Sequence, residues 1–183
     1  MSSLPRPADV LPHRAPFLFV DEITAVEPGV SASGIWRLTG DEWFFSGHFP
    51  GRPTLPGVLM CEAIAQMGAI AVLVGGMHAG KIPLFGGLDG ARFRKQVQPG
   101  DTLEIVVQLG RMSARAGKGS GKALLNGETA CECDLMFVLV DASGRDNFLF
   151  DLRPEPKSPN HCGHQNRSCW RSLVQASTRE PNP

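Results

Sequence analysis

The segment GHFPGRPTLPGVLMCEAIAQ, residues 47–66, constrains what this chain can fold into more than any other stretch. Its first ten residues, Gly47 to Pro56, hold three prolines and two glycines. Proline fixes φ and glycine admits positive φ, so this half is a loop of set shape and not a regular element. From Gly57 to about Val74 the chain is apolar and free of proline. That predicts a helix that starts at Pro56-Gly57 and stops at Gly75-Gly76. Two titratable side chains interrupt the pattern: His48 in the loop and Glu62 in the helix.

Glu62 and Gln66 stand one turn apart, with no charge to extend them into a solvent-facing stripe. Val58, Met60, Ile64, Met67 and Ile70 fill the other faces. A helix apolar nearly all round is buried, and a buried carboxylate without a partner is costly, so Glu62 faces something specific. The run approaches the roughly 20 residues that cross a bilayer. Glu62, Gln66, the glycines Gly68, Gly75 and Gly76, and the lack of flanking basic clusters argue against a membrane span. A lone histidine among prolines is ordinarily a hydrogen-bonded loop residue. The pattern therefore nominates His48 and Glu62 without assigning them a role.

On either side of this segment the pattern predicts short strands and tight turns. A short helical turn is expected near Ala8 to Leu11, then a strand over Phe17–Val26 ending at Pro28-Gly29. A second strand, antiparallel to it, covers Val30–Leu38, and Asp41 is placed to cap one turn reaching Phe45. After the helix come strands over Ile82–Phe93 and Thr102–Leu109, with Pro99-Gly100-Asp101 as a turn. A basic, glycine-rich hairpin spans Arg111–Gly121. Lys122–Leu125 and Thr129–Val140 form the last pair, joined by Asn126-Gly127, a type I′ hairpin signal. One buried helix and about six strands make an α+β domain, a curved antiparallel sheet wrapped on a helix.

A chain of 183 residues with 42% hydrophobic content suits one domain with a tail, divided here as 1–142 and 143–183. Residues 143–183 hold five prolines and one dense apolar run, FLFDL at Phe148–Leu152, which reads as a disordered tail. His161, Cys162, His164 and Cys169 have a spacing that matches no standard zinc site, so no metal is expected. Zero formal net charge gives no long-range attraction to nucleic acid or anionic membrane. An odd cysteine count, five, and the absence of an apolar N-terminal leader favour the cytoplasm.

Residues 47–66 closely resemble the signature of the bacterial 3-hydroxyacyl-[acyl-carrier-protein] dehydratases, which have the hot dog fold. LPHRAPFLFVDEI at Leu11–Ile23, GLDGARFRKQVQPGDTLEI at Gly87–Ile105 and GKGSGKALLNGETACECDLMF near the end extend the likeness, in order, over residues 9–141. The resemblance implies a helix held as the sausage inside the sheet, and dehydration of a (3R)-hydroxyacyl chain to a trans-2-enoyl chain in fatty-acid synthesis. It implies His48 as the base and Glu62 as its acid–base partner. The backbone N–H of Gly57 would serve as donor to the thioester oxygen. His48 and Glu62 would come from different protomers, in a homodimer or a trimer of dimers. The relatives that also isomerise the double bond carry aspartate where this chain has Glu62, so the plain dehydratase is favoured. A substrate tunnel would be lined by Phe17, Val58, Met60 and Phe93. Arg92, Arg94 and Lys95 would meet the acidic acyl carrier protein, or else form an ordinary solvated strand edge. No cofactor is implied. A thioesterase, a non-catalytic subunit and an acyl-carrier-binding module on the same fold are the competing classes.

Overall fold

The computed structural model describes residues 3–143. Apart from Ser143, the expected tail lies outside the described residues, and so do Phe148–Leu152 and the four candidate zinc ligands. Helix α1 is the short turn Pro7–Val10, and it is followed by strands β1 (Glu22–Glu27) and β2 (Ser31–Arg37). The long helix α2 covers Gly57–Leu73; β3 (Lys81–Phe93), β4 (Thr102–Met112), β5 (Ala116–Leu125) and β6 (Glu128–Asp141) follow among the described residues. All six strands form one antiparallel sheet in the order β1-β2-β4-β5-β6-β3. The chain thus leaves β2, runs through α2, lays β3 at the far edge and returns to place β4 beside β2.

The strands follow the period-two pattern that puts alternate side chains on one face. In β4 Leu103, Ile105, Val107 and Leu109 are buried while Glu104 and Gln108 are exposed. That buried face meets α2, in which Ala63, Ile64, Met67, Ile70 and Ala71 have no exposed surface. Close approach is possible because glycine stands where the sheet passes the helix. A Cβ at Gly121 would lie 2.3 Å from Ile64 Cγ2, and one at Gly34 would lie 2.4 Å from Met67 Cε. Asn126 and Gly127 take φ of 53° and 78°, the paired positive values that a type I′ turn requires.

Two local expectations are corrected. The strand foreseen from Phe17 begins at Glu22, because the amide of Phe19 donates to the Gln66 side chain on α2 at 2.8 Å instead of to a neighbouring strand. The turn before residue 45 is anchored by Glu42 and not by Asp41. Glu42 accepts the backbone N–H groups of Thr39 and Gly40, each at 2.8 Å, and these bonds hold its carboxyl below its ordinary value against a burial effect in the opposite sense.

Candidate functional site

The loop carrying His48 is fixed by aromatic packing at its base. Phe44 and Phe45 are buried, and Trp36, Phe19 and Phe17 continue the stack towards the helix. The Phe44 carbonyl accepts the His48 N–H at 3.0 Å, and the His48 carbonyl accepts the Thr54 N–H at 2.8 Å. Leu55 then bonds through its N–H to Val97 at 2.8 Å, which ties the loop to the β3–β4 connection. His48 itself is half-buried, its ring stacked on Phe49 at 4.0 Å. Its Nδ1 lies 2.8 Å from the Thr54 carbonyl oxygen. A carbonyl can only accept, so Nδ1 carries the proton and Nε2 keeps a free lone pair. The backbone thereby selects the tautomer a general base needs.

The loop delivers the chain to the start of α2 at Gly57, with Pro56 as N-cap and no side chain capping that end. The first N–H groups of a helix have no intrahelical acceptor and carry the positive end of its dipole. A Cβ at Gly57 would lie 2.8 Å from Phe93 Cδ1, so the absence of a side chain is what lets the Phe93 ring cover the helix start.

Glu62 lies on the same helix, about 7.5 Å further along its axis at 1.5 Å per residue. Its side chain is 19% exposed. It accepts a hydrogen bond from Gln66 Nε2 at 3.0 Å, and His13 Nε2 stands 3.8 Å from the same oxygen. Burial raises the Glu62 carboxyl above its ordinary value, opposed by the Gln66 hydrogen bond and the charge of His13. Gln66 is fully buried and also donates to the Phe17 carbonyl at 3.1 Å. A pocket of about 190 Å³ surrounds Glu62, lined by His13, Gln66, Ala65 and Ala69, by Pro83, Leu84 and Phe85 of β3, and by Leu135, Met136 and Phe137 of β6. His48 is not among its walls. A larger groove of about 770 Å³ crosses the sheet through Ser33, Val106, Ser120 and Asp134 and touches none of the expected site residues. We read that groove as open sheet surface, because the carboxyl raised by burial lies in the smaller pocket.

Phe17, Val58 and Phe93 are 45%, 66% and 51% exposed, placed to line a surface, whereas Met60 is buried in the core at 2%. Arg94 forms an ion pair with Glu132, and Lys95 with Glu128, both acids on β6. Arg92 is exposed beside them. Cys131 and Cys133 share a face, and that face is buried against α2, with Cys61 Sγ 3.8 Å from Cys131 Sγ. Sequence reasoning missed His13. The signal available was the motif LPHR, whose histidine sits among apolar residues close to a proline.

A single long helix enclosed by a six-stranded antiparallel sheet, with a histidine loop feeding the helix start, defines a hot dog fold carrying a candidate acid–base site. The FabA-like domain model matches residues 11–134, and this chain belongs to that family. It is 52% identical over 132 residues to the 3-hydroxyacyl-[acyl-carrier-protein] dehydratase FabZ of Chloroflexus aggregans, covering 72% of this chain and 92% of that protein. The protein of the same name from Herpetosiphon aurantiacus is 50% identical, with 94% of it covered. Among solved structures, the dehydratase heterocomplex ApeI:P from Xenorhabdus doucetiae superposes with a TM-score of 0.66 at 18% identity, over 77% of this chain and 95% of that one. A hypothetical thioesterase with coenzyme A from Streptococcus pneumoniae gives 0.52 at 11% identity, over 66% and 85%. At those identities the likeness is one of fold. Among the described residues no helix is long and apolar enough to cross a membrane.

Proposed function

We propose that this chain dehydrates (3R)-hydroxyacyl-[acyl-carrier-protein] to the trans-2-enoyl form in fatty-acid biosynthesis, with His48 and Glu62 as its acid–base pair. The observation that carries the reading is the preset His48 tautomer in a chain 52% identical, over 132 residues, to a named dehydratase. His48 Nε2 takes the proton from C2, beside the thioester carbonyl. The N–H at Gly57 donates to the thioester oxygen as negative charge gathers there. Glu62 orients the 3-hydroxyl and gives it a proton, so that the C3–O bond breaks, water departs and the C2–C3 double bond forms. The raised carboxyl suits a proton donor. Exchange with solvent returns the proton from His48 to Glu62.

The pair works across two protomers. Strand β3 lies at the sheet edge, and Phe85, Leu88 and Phe93 on it are all more than 40% exposed. An apolar edge strand is a surface that pairs with another strand. Antiparallel pairing of two copies about Asp89 sets Phe85 of one beside the partner's Phe93. Phe85 walls the Glu62 pocket and Phe93 covers Gly57, so this register brings one chain's loop and helix start to the other chain's carboxylate. Phe17, Val58 and Phe93 would then line the acyl path. The carrier protein would meet Arg92 first, since Arg94 and Lys95 already hold acidic partners. The odd cysteine count supports a cytoplasmic setting.

Purified protein given 3-hydroxyacyl carrier protein should produce enoyl absorbance. Hydrolysis to free acid instead would favour a thioesterase, and no turnover would favour a binding subunit. Inactive His48→Ala and Glu62→Ala chains refolded together should regain activity in mixed dimers; mixed dimers confirmed by mass that stay inactive would put both residues in one chain's site.

A further inference from the structure

His13, on the wall of the Glu62 pocket, carries one polar atom that protein packing leaves unmatched. His13 Nδ1 is enclosed without a hydrogen-bond partner among the described residues. An enclosed polar atom with no partner costs free energy, so packing stability does not explain this ring. The backbone nevertheless holds it firmly. Arg14 donates from Nη1 to the carbonyls of Leu11 and His13, at 2.8 and 2.7 Å. The Phe17 N–H closes the turn on the Arg14 carbonyl at 2.8 Å, and Gln66 clamps Phe17 and Phe19 to α2. Of the two neutral tautomers, Nε2–H aims a donor at Glu62 and leaves Nδ1 a bare acceptor. The other would bury an unmatched N–H.

We propose that His13 is a positioning residue for Glu62: it holds Oε1 through Nε2–H and steadies the charge left when Glu62 gives its proton to the departing hydroxide. This rests on the role of Glu62 proposed above. Gln66 and His13 both address Oε1, which leaves Oε2 for the substrate. At 3.8 Å the contact is not yet a hydrogen bond, but it is close enough to favour the carboxylate. The other walls do not compete. Gln66 on the same helix is neutral, and β3 and β6 contribute only Pro83, Leu84, Phe85, Leu135, Met136 and Phe137. In surroundings this apolar the Nε2–H dipole acts on the carboxylate with less screening than in water.

The test uses His13→Phe and His13→Asn in the full chain, with Glu62→Gln as reference. The readouts are kcat, KM and the titration of Glu62 followed by carboxyl-carbon NMR, assigned by its loss in Glu62→Gln. In His13→Phe, kcat should fall roughly tenfold or more with KM little changed, because Glu62 becomes a weaker acid. Its proton-release midpoint should move to higher pH. His13→Asn, whose amide can still donate, should recover part of kcat; it carries both readouts if the Phe variant does not fold. A fall in kcat with the midpoint unmoved would make His13 merely structural and overturn the inference, as would wild-type kcat in both variants. Wild-type kcat in Glu62→Gln would instead overturn the role of Glu62, a result the His13 variants cannot mimic.

Discussion

Replacing Gln66 by methionine tests how the N-terminal strap is held on the helix. Methionine matches glutamine in length and volume, and swaps that conserve volume cost less than about 1.5 kcal/mol in themselves. The change removes three hydrogen bonds made by one side chain that is 1% exposed. The Phe19 amide is the expensive loss: Phe19 is 2% exposed, and a stranded buried N–H costs about 1–3 kcal/mol. Phe17 is half-exposed, so its carbonyl recovers water and adds little. A net loss of about 2 kcal/mol is a sizeable part of the 5–15 kcal/mol typical of a domain, and should lower Tm by about 4–8 °C in a chain of this size. Calorimetry at fixed protein concentration measures it, with urea midpoints to check that the slope m is unchanged. The same substitution removes a hydrogen bond that favours the Glu62 carboxylate, so the Glu62 titration should move to higher pH. A Tm equal to wild type would mean that the Phe19 amide has another acceptor, and the account of why β1 starts at Glu22 would fall with it.

Three further outcomes follow from the same geometry. His48→Ala should abolish turnover while circular dichroism and oligomer size stay unchanged, since a half-buried loop side chain adds little to the core; retained dehydration would remove His48 from the mechanism. Glu62→Gln should cut kcat by about a hundredfold or more and yet raise Tm at neutral pH. The sign follows from the raised carboxyl: between its unfolded and folded pKa the native state binds the extra proton, so wild-type stability falls as pH rises through that window. The advantage of the glutamine variant should therefore vanish in acid, and a Tm gain that persists there would contradict the burial argument. Gly57→Ala should push the half-exposed Phe93 ring aside, with little change in Tm but roughly a tenfold or greater loss of kcat/KM from misplaced substrate; full activity would show that the helix start does not touch the acyl chain.

The parts of this molecule that sequence reading recovered are those written within one element. The alternation in β4, the Asn126-Gly127 turn and the apolar run of α2 each carry their own period, so strand, hairpin and helix were legible from a few residues at a time. His48 and Glu62 were legible as candidates for the same reason: a polar group in a rigid loop and another in a buried helix stand out locally. Whatever depends on a distant partner was not. Phe17–Val20 looks like a strand, but the Phe19 N–H goes to a side chain 47 positions away. Arg94 and Lys95 look like a free basic patch, but acids on the neighbouring strand β6 occupy them.

The Glu62 pocket joins both kinds of information. Its carboxylate and the Gln66 amide that bonds it are announced by α2, but His13 comes from a strap before β1 and the apolar walls from β3 and β6. The proposed composite site would follow the same rule one level up. Helix rise separates Gly57 from Glu62 by more than a hydrogen-bond length, and the Glu62 pocket has no wall from the histidine loop. In the proposed dimer each chain would supply two half-sites, and strand β3 reaches both, through Phe93 at Gly57 and Phe85 in the Glu62 pocket. On that proposal, edge pairing would bury that strand's apolar side chains and complete the acid–base pair in the same step. Substitutions that weaken the β3 edge, such as Leu88→Lys, should accordingly remove activity and dimer together. A monomer that kept full activity would refute the coupling.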